Sequence, residues 1–460
     1  MARRHAVGAR PLTGSGAALL KLVLACLALA AVAQLLPAAP TYDPWAWIIW
    51  GREIVDLDLD TRTGPSWKPL PVVFTTPFSL AGDRWAPELW LVIAQAGGLL
   101  AFAFTFRLAR RLAGAVAGVI AVAGLLLVDE FIRNFSRGNS EGLLVAFCLW
   151  AVERHLDGHR RQAFVLGVLA GLLRPELWPF LLAYGLWLMW SDRRAWPLVI
   201  GCGALTVALW FVPEYLGSGD FFRAASRARE PNPDSAAFAD HPFVETFVRS
   251  QKTLMWPMLA GAAIALVRAW RDRDTVRLAL GAIAAALMVA VAAMTQAGFA
   301  GNLRYVALPA ALICVLAGAG WVELVRDAAA RWGRRAGAAV AAALALACTP
   351  LVVPFVDKLV WDLDVVAHES GAYDRLPAMI EKAGGTEAML ACGPVYAPPF
   401  EVQAVAWAMH LHSREIELFA APPGTTIAGQ SSALAHDPRF AEITENTRWI
   451  VKRNCRGGTP

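Results

Sequence analysis

About ten apolar stretches, most of them close to the length of a membrane span, recur along the chain and are joined by short connections rich in arginine. A helix of about 20 residues, rising 1.5 Å per residue, crosses a hydrocarbon core roughly 30 Å thick. Within lipid every backbone N–H and C=O must be satisfied inside the spanning structure, so apolar runs of this length point to a bundle of transmembrane α-helices. The runs fall at 17–36, 88–106, 112–128, 141–152, 162–190, 196–212, 254–267, 276–295, 305–325 and 336–355. With 57% of its 460 residues hydrophobic and 17% charged, the chain is not an ordinary soluble enzyme, a disordered polymer or a disulfide scaffold. A formal charge of +5 against 42 basic residues leaves no footprint for nucleic acid.

The connections fix a topology. Arg107, Arg110 and Arg111; Arg154, Arg160 and Arg161; Arg193 and Arg194; Arg268, Arg271 and Arg273; and Arg326, Arg331, Arg334 and Arg335 mark cytoplasmic loops, as Arg3, Arg4 and Arg10 mark a cytoplasmic N-terminus. Both flanks of 162–190 are basic, so this stretch goes out and returns, breaking at Arg174-Pro175-Glu176. About eleven spans result, in a multi-pass protein of the cytoplasmic membrane. The first run also fits a cleavable signal with Ala31-Val32-Ala33 as its processing site, a reading disfavoured by its length.

The outer face then carries a long first loop (37–87), loops at 129–140, 213–252 and 296–304, and an extracytoplasmic region, 357–460, with the composition of a soluble domain. Runs 388–392 and 415–419 read as strands around a helix at 400–412, giving a small α/β domain beside a transmembrane domain at 1–356. Cys392 and Cys455 are either a disulfide or two unrelated thiols.

No GxGxxG, Walker loop or HExxH occurs. The first outer loop opens on Tyr42-Asp43-Pro44-Trp45-Ala46-Trp47, which sets a carboxylate directly after the first span. Trp45, Trp47 and Trp50 read as an interfacial aromatic belt, which leaves Asp43 unexplained. Further on, Gly64-Pro65-Ser66-Trp67-Lys68-Pro69-Leu70-Pro71 holds a lysine in a stiff turn, the only lysine between Lys21 and Lys252. A compact ammonium at a membrane surface suits a phosphate ester. Asp56, Asp58 and Asp60 alternate along the same loop and read as a solvated face rather than a cation site.

An acid opening a long first outer loop, a Lys-Pro-Leu segment before the second span, many further spans and a C-terminal outer domain together resemble the GT-C superfamily of membrane glycosyltransferases. The branch of protein O-mannosyltransferases and lipid A aminoarabinose transferases is the most similar. Arg137-Gly138-Asn139-Ser140-Glu141, Arg174-Pro175-Glu176 and Gly301-Asn302-Leu303-Arg304-Tyr305 add to the resemblance. It implies a donor sugar on a polyprenyl-phosphate carrier and an envelope lipid, glycan or protein as acceptor, with membrane lipid around both.

On that footing Asp43 is the general base, Lys68 and Arg304 bind the donor phosphate, and direct displacement inverts the anomeric centre. Arg137, Glu141, Arg174, Glu176, Tyr305 and His241 are substrate contacts or structural groups: Arg137 with Glu141 as an i, i+4 pair, Arg174 with Glu176 as a brace of the elbow. Where several relatives show two adjacent acids, this chain has Asp43-Pro44, so either one carboxylate suffices or a second comes from another loop, with Asp129 and Glu130 the candidates, which would also be the ones to hold a divalent cation. The rival reading is a polytopic transporter or flippase of envelope lipid or glycan precursors. Nearly charge-free spans and a long first outer loop favour chemistry at the outer interface. A third is an inactive assembly partner, against which the joint presence of Asp43 and Lys68 argues.

Overall fold

A computed structural model describes residues 16–456, so the basic head of Arg3, Arg4 and Arg10 lies outside the described residues. Helix α1 (Gly16–Ala33) is the first apolar run, and the loop after it folds into α2 (Tyr42–Val55) and α3 (Pro69–Ser79). Then follow α4 (Trp85–Ala113), α5 (Ala115–Leu126), a short α6 (Phe131–Ser136), α7 (Glu141–Leu156), α8 (Arg160–Gly171), α9 (Trp178–Ser191) and α10 (Trp196–Ser218). The next outer loop holds α11 (Arg223–Arg227) and α12 (Pro242–Ser250), and α13 (Trp256–Asp272), α14 (Thr275–Gln296), α15 (Ala307–Trp332) and α16 (Arg334–Tyr373) complete the bundle. Every apolar run of the sequence is thus a helix, and the protein is a polytopic α-helical membrane protein.

Among the described residues, six helical stretches are long and apolar enough to cross a membrane alone, and the remaining spans are shorter. The elbow forms as expected. Helix α8 ends at Gly171, a 3-10 turn covers Pro175–Leu177, and α9 starts at Trp178, because proline cannot continue the ladder of α8. α15 lies at the centre of the bundle, against α4, α5, α13, α14 and α16. Small residues bring the backbones close: Gly318 and Gly320 leave no room for a Cβ against the backbone of Ala117 and Gly261. The outer faces of α9, α10 and α16 stay apolar and exposed, as lipid-facing helices do.

Three expectations are corrected. The last span does not stop near 355: α16 runs on to Tyr373, so residue 357 lies inside a continuous helix. Its extension is held by Arg133 and Arg137 of the α6 region, which reach Asp362 at 3.1 Å and Glu369 at 2.7 Å. Second, 388–392 is no strand. Thr386-Glu387-Ala388-Met389-Leu390 closes a short helix, α18 (Gly385–Leu390), that follows α17 (Leu376–Lys382), since Glu, Ala, Met and Leu are strong helix formers.

Third, the tryptophans of α2 are not a membrane belt. Trp45, Trp47 and Trp50 are buried in protein, Trp47 edge-on to Trp90 and Trp50 against Trp67, because α3, α4 and the C-terminal domain cover α2. The C-terminal domain is α/β. Strands β1 (Val395–Tyr396), β2 (Ile416–Glu417), β3 (Gly424–Gly429), β4 (Ala441–Glu445) and β5 (Trp449–Asn454) lie in the order β2-β1-β3-β5-β4, with α19 (Val402–Ala408) between β1 and β2. β1 is parallel to β2 and β3, and β5 is antiparallel to β3 and β4. Cys392 and Cys455 form a disulfide that ties the start of β1 to the end of β5.

Candidate active site

Asp43 lies in the first turn of α2, where unpaired backbone N–H groups favour a negative charge. The segment 137–140 packs against that turn. Gly138 makes the approach possible: its φ is +79°, and a Cβ there would meet Trp90 Nε1 at 3.0 Å and Pro44 Cβ at 3.2 Å. Thr41 N donates to the Arg137 carbonyl at 3.1 Å, which joins the start of α2 to the loop ahead of α7.

Five charged groups converge here. Arg304 Nη2 donates to Asp43 Oδ2 at 2.9 Å and its Nη1 to Asn139 Oδ1 at 3.3 Å, while its Nε stands 3.9 Å from Glu141 Oε1. Arg174 from the elbow donates to the same Glu141 oxygen at 2.6 Å and lies 4.0 Å above the Tyr305 ring. Glu141 is 1% exposed, a carboxylate held between two guanidinium groups. Lys68 is 8% exposed, 3.5 Å from Ser140 Oγ and 5.0 Å from the Trp47 ring centre, with no carboxylate within 4 Å among the described residues. Among the described residues it is a buried cation without an ion-pair partner.

The lysine loop is fixed from the far side of the cavity. Arg223 donates to the carbonyls of Pro65 and Gly64 at 2.7 and 2.9 Å, and Arg227 to Gly64 at 3.2 Å. The Ser66 hydroxyl donates to the Ala224 carbonyl at 2.9 Å, and Trp67 Nε1 to Leu209 in α10 at 3.0 Å. Five hydrogen bonds across the chain thus hold the backbone from which Lys68 projects.

Burial works against both Asp43 and Lys68. It raises the Asp43 carboxyl, but the charges of Arg304 and Lys68 outweigh it and hold the group below the usual aspartate value, ionised at neutral pH. Burial, then the neighbouring Arg174 charge, lowers the Lys68 ammonium to about 8.

These groups open on one cavity of about 1920 Å³. Asp43, Lys68, Arg137, Asn139, Arg174, Glu176, Arg304 and Tyr305 line its charged floor. One wall is apolar, made by Trp178, Pro179, Trp210 and Phe211 of α9 and α10, whose other faces meet lipid. The lining also includes Phe400 and Gln403 of the C-terminal domain.

Other expected partners are placed differently. Arg137 does not pair with Glu141: it bonds Glu369 and, at 2.9 Å, the Thr41 hydroxyl, because Glu141 is taken by Arg174 across the bundle. For the same reason Glu176 is only the second partner of Arg174, at 3.7 Å. His241 is exposed, at the start of α12, outside the cavity lining. Asp129 pairs with Lys358 at 3.2 Å and Glu130 with Arg133. No group of three or more His, Cys, Asp or Glu suited to a metal ion occurs among the described residues, and a guanidinium already meets Asp43 where a cation would stand. Asn139 and Ser140 were not singled out as site residues by the sequence. Their signal is slight: two small polar side chains just ahead of an apolar run.

No family model and no curated protein matches the sequence. Solved structures do resemble the fold. ArnT from Cupriavidus metallidurans bound to undecaprenyl phosphate is 13% identical, with a TM-score of 0.55 over 95% of this chain and 98% of that one. Its apo state gives 15% and 0.55 over the same shares. The Archaeoglobus fulgidus oligosaccharyltransferase in complex with zinc and sulfate is 14% identical, with a TM-score of 0.51 over 94% of this chain and 73% of that one. The chain therefore shares its fold with these solved structures.

Proposed function

We propose that the protein transfers a sugar from a polyprenyl-phosphate carrier to an envelope acceptor at the outer face of the cytoplasmic membrane. The observation that carries this reading is the company of Asp43: an unpaired buried ammonium and a guanidinium share with it one cavity, whose far wall is apolar and backed by lipid-facing helices. A lipid-borne phosphate needs both a pair of cations and a route for its chain. The ArnT structure that shares the fold was solved with undecaprenyl phosphate bound, which supports a donor of that class.

In this mechanism Lys68 and Arg304 face the donor phosphate. The acceptor oxygen forms its bond to the anomeric carbon as the bond from that carbon to the phosphate oxygen breaks, releasing polyprenyl phosphate and inverting the centre. The acceptor proton passes to Asp43. The negative charge gathering on the departing phosphate is stabilised by Lys68 and Arg304. It also competes with Asp43 for Arg304, so the carboxylate gains proton affinity as the proton arrives. Glu141 and Arg174 orient Arg304 from behind.

The test supplies purified protein with a panel of radiolabelled polyprenyl-phosphate sugars and crude envelope as acceptor. Transfer by the wild type and its loss in Asp43→Asn and Lys68→Ala are expected. Unchanged turnover in both variants overturns the site, and uptake into sealed vesicles without transfer favours the transporter.

A further inference from the structure

At the end of α2 away from Asp43, the C-terminal domain grips the helix through charged groups. Arg52 Nη2 donates to the Leu411 carbonyl at 2.9 Å, and its guanidinium lies 4.9 Å over the Trp407 ring. Beside it His412 sits between two carboxylates, with Nδ1 2.8 Å from Glu53 Oε1 and Nε2 3.1 Å from Asp58 Oδ2. The other Glu53 oxygen accepts from Asp60 N at 3.0 Å, and His412 N donates to Glu415 Oε2 at 2.8 Å. The Glu53 side chain is 4% exposed.

A neutral imidazole has one N–H, so with both carboxylates ionised one ring nitrogen would point its lone pair at an anion. Both contacts are hydrogen bonds only when the cluster holds an extra proton, either as imidazolium or on a carboxyl group. We infer that His412 is a proton-dependent positioning residue: the proton shared between His412 and Glu53, with Asp58 facing the other ring nitrogen, locks the C-terminal domain onto α2 and so steadies the helix that presents Asp43.

The surrounding charges leave this need unmet. Asp60 is answered by Arg62 at 2.5 Å and Arg414 at 3.0 Å, and Arg52 spends its hydrogen bonds on carbonyls. Asp83 faces His410 at 3.1 Å, and Asp56 and Asp83 add negative charge on the Arg52 side. Glu415 faces the backbone of His412. Burial lifts Glu53 to about 7. Burial lowers His412, but its bonds to Glu53 and Asp58 outweigh that and raise it. Both shifts are upward, so the folded cluster keeps a proton that the unfolded chain has released. The clamp is therefore firmest in mild acid, loses its proton-linked stability as pH rises through about 7, and weakens no further once the folded cluster has released its proton.

The mechanical part of this role stands apart from the transferase reading, and only its kinetic consequence rests on it. Hydrogen exchange of the full chain in lipid nanodiscs, read by mass spectrometry from pH 6 to 9 and divided by intrinsic rates, tests the clamp without substrate. Segments 50–60 and 405–415 should open more easily by up to about tenfold per pH unit as pH rises towards the midpoint, and level off above it. His412→Ala should be more open than the wild type across the range, its remaining dependence coming from buried Glu53, and Glu53→Gln should lose most of the dependence. His412→Arg, permanently charged, should stay closed at pH 9. Wild-type exchange that only follows intrinsic rates, or a pH dependence that survives in both His412→Ala and Glu53→Gln, overturns the inference. Where the clamp is confirmed, kcat for transfer should fall along the same pH midpoint in the wild type and not in His412→Arg.

Discussion

Replacing Lys68 by methionine separates a cation kept for binding from one kept for the fold. The side chain is 8% exposed, its nearest hydrogen-bonding group is a hydroxyl at 3.5 Å, and no carboxylate stands within 4 Å among the described residues. Lowering its ammonium from an ordinary 10.5 to about 8 corresponds to roughly 3 kcal/mol against the charged form. The sign follows from the direction. A depressed lysine costs stability in full below its folded value of about 8, and the cost fades as pH climbs towards 10.5. Methionine removes that cost and keeps most of the stem, but forfeits the contact over Trp47, worth about 0.5–2 kcal/mol. At pH 7 the variant should gain about 1–2 kcal/mol, read as a higher unfolding midpoint in detergent. Transfer from a polyprenyl-phosphate sugar should fall by about 10²–10³, the usual effect of removing one preorganised group that stabilises a developing anion. Stability and turnover thus move in opposite directions. A variant less stable than the wild type, or one that keeps its turnover, refutes the reasoning.

The same ionisations set a pH profile. With Asp43 held below the usual carboxylate value and Lys68 at about 8, kcat/KM in a His412→Arg background, where the clamp no longer titrates, should be flat through neutrality and fall on the alkaline side near pH 8, and adding Lys68→Arg should push that limb upward. Arg174→Met alone strands Glu141 and should lower stability by about 3–5 kcal/mol, whereas Arg174→Met with Glu141→Leu should recover most of it in thermal unfolding. Reducing the Cys392–Cys455 bond, which closes a separation of 63 residues, should destabilise the C-terminal domain by about 4 kcal/mol, measured as its melting with and without a thiol.

The spans and the elbow were legible because the membrane imposes a one-dimensional rule: enough apolar residues in a row, and no charge left at depth. Arg174-Pro175-Glu176 breaks that rule visibly, and the chain turns there. Asp43 and Arg304 stood out as charges beside apolar runs and Lys68 as the lone lysine of a proline-stiffened turn, and the structure brings all three to one cavity. Partners were less legible. Arg137 and Glu141 have ideal spacing for a helical pair, yet Arg137 precedes α7 and each finds a stronger partner from another helix. The tryptophans of α2 have the composition of an interfacial anchor, and only the packing of α3 and the C-terminal domain over them makes them core.

Hydropathy and charge along the chain, which act locally and against a uniform solvent, determined the apolar helices and the outer loops where polar residues gather. Tertiary structure alone decided that Arg304 meets Asp43 across 261 positions, that Glu141 is shared by two guanidinium groups, and that His412 closes on Glu53. Electrostatic pairing in a buried site depends on distance in space and on which neighbours have already been satisfied, and neither quantity is written in the order of residues.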